Sequence, residues 1–87
     1  SKPFGMELVG NDRPGIVRDI TRVLAELNVN VERIATEVRP APMSNEPLFH
    51  AEALLALPAS LPLEQLQQRL EALADDLMVE LRLRADE

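Results

Sequence analysis

Apolar side chains alternate with small or polar ones at the start of the chain: Phe4, Met6 and Leu8 take one parity, Gly5, Glu7 and Val9 the other. A period of two belongs to a strand with one buried face, so residues 4–9 are predicted as β1. Gly10, Asn11, Asp12, Arg13, Pro14 and Gly15 then break the pattern with turn-forming residues, and Asp12 is placed to cap a helix beginning near Pro14. In that helix, α1, Ile16, Ile20, Val23, Leu24 and Leu27 form one apolar stripe while Arg18, Asp19, Arg22 and Glu26 face away. Asn28 follows directly and suits the left-handed conformation that closes a helix.

Residues 29–39 are rich in β-branched side chains and read as β2, but their parity changes between Val29 and Val31 on one side and Ile34, Thr36 and Val38 on the other. A bulge near Glu32 and Arg33 reconciles the two halves. Three prolines fall in residues 40–47, which are predicted as a loop because proline donates nothing to a ladder. In β3, residues 48–57, Phe49, Ala51, Ala53, Leu55 and Leu57 share a face and His50 and Glu52 lie on the other. Ser60 is expected to open α2 with Pro62 in its first turn, and Leu63, Leu66, Leu70, Leu73 and Leu77 give its buried stripe. Alternation of Leu77, Val79, Leu81 and Leu83 against Met78, Glu80, Arg82 and Arg84 closes the chain as β4.

The order βαββαβ, with one apolar face on every element, predicts an α+β, ferredoxin-like fold: a four-stranded antiparallel sheet with both helices on one face. Its 87 residues make residues 1–87 a single domain, alone or as one unit of a longer protein.

Charge narrows the function. Fifteen acids against nine bases leave -6, which repels polyphosphate, and two aromatics, Phe4 and Phe49, offer no stacking platform for bases. No direct nucleic-acid partner is expected. The apolar runs are too short for a membrane span, and the lack of cysteine and of a basic-then-apolar leader points to the cytoplasm.

Catalysis finds little support. His50 is the sole histidine; Glu52 shares its face, but no cysteine or positioned serine completes a nucleophilic set, so His50 reads as a solvated or interface residue and the chain as no enzyme. Asp75, Asp76, Glu80, Asp86 and Glu87 are spread out without the spacing of a calcium loop, so no metal site and no cofactor are expected. The loop from Gly10 to Gly15 remains. It reads equally as a strand-to-helix turn and as an anion-accepting helix N-terminus suited to a small carboxylate.

The run Val9-Gly10-Asn11-Asp12-Arg13-Pro14-Gly15-Ile16-Val17, followed by Ile20, Leu24 and Asn28-Val29-Asn30-Val31, resembles the ACT domain. Residues 41–49 with Leu66, Leu70 and Asp75-Asp76-Leu77 resemble more narrowly the second ACT domain of glycine cleavage system transcriptional repressor-like proteins. The resemblance implies a non-enzymatic regulatory module of amino-acid metabolism. It would bind a small amino acid of the glycine or serine class between two ACT domains, in a homodimer or with a neighbouring domain, and signal to a transcription-regulator protein. The implied ligand residues are Gly10, Asn11, Asp12, Arg13 and Gly15 from the loop, with Asn30 and Val31 from β2 of the other copy. The alternative is a dimerisation or assembly module without a ligand. If Gly15 lets a ligand carboxylate approach the helix N-terminus, a β-branched residue there is expected to obstruct the site while costing the fold comparatively little.

Overall fold

The computed structural model describes residues 2–85. Period-two segments pair into one antiparallel sheet of order β2-β3-β1-β4, built from β1 (Lys2–Asn11), β2 (Asn30–Pro40), β3 (Pro47–Leu57) and β4 (Val79–Ala85). Helices α1 (Ile16–Glu26) and α2 (Leu63–Leu77) complete the βαββαβ order, and the ferredoxin-like arrangement expected from the patterning is the one observed. Central strands β1 and β3 align Phe4 with Leu55, Met6 with Ala53 and Leu8 with Ala51. These faces join Ile16, Ile20 and Leu24 of α1 and Leu66 and Leu70 of α2 in one buried cluster. Among the described residues no helix covers the opposite face of the sheet, which presents Glu7, His50 and Glu52.

Element ends follow local chemistry. Asn28 is left-handed at φ 60, and the amides of Asn28 and Val29 donate to the carbonyls of Ala25 and Leu24 at 3.0 and 2.9 Å, so α1 closes as expected. The bulge lies between Val31 and Arg33, also as expected. It sets Ile34, Thr36 and Val38 on the same face as Val31, although Ile34 and Val38 remain exposed on the outer strand.

Four boundaries differ from the expectation. Asp12 does not cap α1; Gly15 is the N-cap, and no side chain caps the helix. The reason is the sharpness of the reversal: the Asp12 amide still donates to Pro47 at 3.2 Å, so the chain must turn within the next residues and does so through left-handed Gly15. Ser60 does not open α2 either. It lies in a turn closed by the Leu61 amide on Pro58, and Pro62 is the N-cap, its carbonyl accepting from Gln65 and Leu66. Leu77 ends α2 instead of starting β4, because Met78 turns left-handed at φ 57 and only Val79 enters the ladder. Pro40 and Pro47 belong to strands, paired across the β2–β3 hairpin. The neighbouring Ala41 amide donates to Glu46 at 2.8 Å, and the alternation of an antiparallel ladder leaves the proline pair where neither residue needs a donor across the hairpin.

Candidate functional site

The loop joining β1 to α1 lies at the end of the sheet where the β2–β3 hairpin turns. Gly10 sits between Phe49 of β3 and Val79 of β4. A Cβ there would stand 2.4 Å from Val79 Cγ1 and 3.0 Å from its Cα, so Gly10 is required for the approach of the two strands. Gly15, at φ 81, is required for the turn. That corrects the expectation that a β-branched residue at position 15 would spare the fold, since such a side chain is strained in this conformation.

Asn11, Asp12 and Arg13 are exposed. Arg13 is nevertheless engaged: its Nη1 donates to the carbonyl oxygen of Leu77 at 3.0 Å and fastens the loop to the C-terminus of α2. Beyond Gly15, α1 begins without a side-chain cap, and the first intrahelical bond runs from the Asp19 amide to Gly15 at 2.9 Å. The first-turn amides of such a helix point outward with the positive end of its dipole. Arg18 folds back over this end, its Nη2 only 2.9 Å from where a Gly15 Cβ would stand. Sequence periodicity placed Arg18 among the outward-facing residues; its spacing of three from Gly15 was the available signal that it shares that helix end.

Within one chain, Asn30 and Val31 do not meet the loop. Asn30 pairs with Ala56, whereas Gly10 pairs with Phe49. Phe49 and Ala56 are seven positions apart on β3, roughly 23 Å of strand.

A second group stands on the open face of the sheet. Glu7 of β1 and Glu52 of β3 are direct cross-strand partners. His50 Nε2 lies 3.3 Å from Glu7 Oε2 and 4.0 Å from Glu52 Oε1, while its Nδ1 lies 3.9 Å from Glu37 Oε1. Sequence reasoning paired His50 with Glu52 but missed Glu7, because only the β1–β3 register brings residues 7 and 50 together. Of the acids in the last part of the chain, Asp75, Asp76 and Glu80 are exposed, and Asp86 and Glu87 lie outside the described residues. No helix among the described residues is long and apolar enough to cross a membrane.

The family model for the ACT domain matches residues 6–75. No curated protein matches the chain. Among solved structures, an unknown protein from Galdieria sulphuraria superposes with a TM-score of 0.88 at 27% identity over 99% of this chain and 50% of its own. An ACT domain protein from Streptococcus pneumoniae gives 0.80 at 22% identity, covering 98% of this chain and 90% of that one. A protein assigned as a glycine cleavage system transcriptional repressor gives 0.75 at 17% identity, covering 99% and 46%. The chain thus spans about half the length of the Galdieria protein.

Proposed function

The chain belongs to the ACT domain family, and from that premise we propose that it is a non-enzymatic sensor of a small amino acid, glycine or serine in class, whose bound state is passed to a protein partner. ACT domains are regulatory amino-acid-binding modules. The observation that carries the reading for this chain is the uncapped start of α1 behind Gly15, with the Arg18 guanidinium folded over it. Helix amides and a guanidinium together suit a carboxylate. Exposed Asn11 and Asp12 stand beside this end, with Asp12 available to face the ligand's ammonium group.

Asn30 and Val31 contribute only from a second copy or a neighbouring ACT domain. A two-fold pairing of β2 edges runs the strands antiparallel, so the Asn30 end of one copy lies towards the loop end of the other. The separation of the two groups within one chain therefore supports an intermolecular site. The half-length coverage of the Galdieria and repressor structures supports the further reading that this domain is one of two such units in a longer protein. Likeness to the latter also motivates a transcription regulator as the partner.

A thermal-shift screen of the common amino acids, with sedimentation run alongside, tests the proposal. At 100 times its dissociation constant the ligand should stabilise the domain by about 2.7 kcal/mol. Arg18→Glu should keep the fold, since that side chain is 80% exposed, and lose most of the response. A flat screen on a folded dimer would favour the assembly reading instead, which rests on the outer strand β2 and its exposed Ile34 and Val38.

A further inference from the structure

On the open face of the sheet, away from the loop, we propose that Glu7, His50 and Glu52 form a binding site for a divalent transition-metal cation of the zinc class. One donor atom from each of the three lies within 4.8 Å of the other two. Two ligands each about 2.1 Å from a tetrahedral zinc stand roughly 3.4 Å apart. The separation of His50 Nε2 from Glu7 Oε2, 3.3 Å, is that of a hydrogen bond in this structure and also matches the ligand spacing, so a cation would take the place of the proton between them. Glu52 Oε1, at 4.0 Å, needs only a small rotation of a side chain that is 61% exposed.

Two further features agree with a cation at this point. Glu7 and Glu52 are directly opposed across the β1–β3 ladder, a like-charge placement that destabilises a sheet unless a positive charge stands between them. Among the described side chains neither carboxylate has an arginine within ion-pair distance; Arg82 neighbours Glu7 in register without bridging to it. The other ring nitrogen supplies the second feature. His50 Nδ1 faces Glu37, whose carboxylate is itself held by Arg39 at 2.9 Å. A ligating imidazole commonly has a carboxylate on its far nitrogen, where it fixes the tautomer and raises basicity. Here Nε2 looks toward the two candidate ligands and Nδ1 toward Glu37, which at 3.9 Å would have to move closer to hold the ring.

The donor set of one imidazole and two carboxylates, without sulfur, favours zinc, cobalt or nickel over magnesium or calcium, which take oxygen ligands. Three protein ligands on an open sheet face leave the remaining positions to water, so the site would hold its ion without enclosing it.

The test is calorimetric titration of the untagged chain with zinc chloride, and with cobalt chloride followed by its visible absorption. One ion per chain, cobalt bands of a nitrogen–oxygen site and no response to magnesium are expected. His50→Ala should abolish binding, and Glu52→Gln and Glu7→Gln should each weaken it at least tenfold. Glu80→Gln, on the same face, should leave it unchanged. Because the Glu52 side chain is largely exposed, Glu52→Gln will fold, and circular dichroism verifies this. Absence of a stoichiometric site, or zinc binding that survives both His50→Ala and Glu52→Gln, would overturn the proposal.

Discussion

Arg13 and Leu77, 64 residues apart in sequence, are joined by a guanidinium-to-carbonyl hydrogen bond of 3.0 Å. The bond satisfies one of the free carbonyls at the end of α2 and places positive charge at the negative end of its dipole. Arg13→Ala should therefore cost about 0.5–1.5 kcal/mol by denaturant melts, given the exposure of the contact. The amino-acid response, compared at matched fractions folded, should persist. Its loss at unchanged stability would move Arg13 from the scaffold into the ligand site.

The left-handed residue closing α2 is Met78, at φ 57 and 82% exposed, where glycine or asparagine is usual. An L side chain in this conformation is strained by about 1–2 kcal/mol. Met78→Gly should raise stability by about 0.5–1 kcal/mol after the greater freedom of glycine in the unfolded chain is discounted. In a domain this small that is a Tm increase of several degrees by calorimetry. Met78→Val should lower it.

Gly5 and Gly10 lie on the same strand and give opposite expectations. At Gly5 a Cβ would find Arg84 Cγ at 3.6 Å, an ordinary contact, whereas at Gly10 it would enter Val79. Gly5→Ala should be within about 0.5 kcal/mol of wild type, and Gly10→Ala should cost at least about 2 kcal/mol through displacement of β4. Equal melting temperatures for the two variants would contradict the strand spacing at Gly10.

Pairing through the β2 edge should respond to charge. Val38 is 54% exposed at the end of the strand beside the hairpin, and a lysine there guards an edge against a second strand. Sedimentation should show a dimer for the natural sequence and a shift toward monomer for Val38→Lys. An unchanged mass for the variant would place any interface elsewhere.

Strongly periodic elements were legible in the sequence because their burial pattern is local. Phe4, Met6 and Leu8, the α1 stripe and the alternating β3 all point their apolar faces where expected. Asn28 and the bulge were legible too, the first from the αL tolerance of asparagine and the second from a parity conflict. What escaped depends on partners distant in sequence. Gly10 reads as a turn residue until β4 is seen beside it, Arg13 as a loop charge until the end of α2 is in place, and Glu7 joins His50 only through register. The proposed ligand loop depends on distant partners in the same way, since Asn30 lies at the far end of the sheet within one chain.

The bulge gives one residue of β2 an unusual standing. Val31 pairs with Leu55 and Arg33 with Leu54, so Glu32 occupies no rung of its own. Removing it would leave Val31, Arg33 and Ile34 alternating in, out and in, with every downstream pair intact. Deleting any residue from 34 to 39 would instead throw the rest of the strand onto the wrong face or pull the hairpin out of step. Homologous chains one residue shorter in this strand should therefore have their gap at position 32. A protein with Glu32 deleted should fold with the same core and a straighter edge, while the equivalent deletion of Thr36 should not.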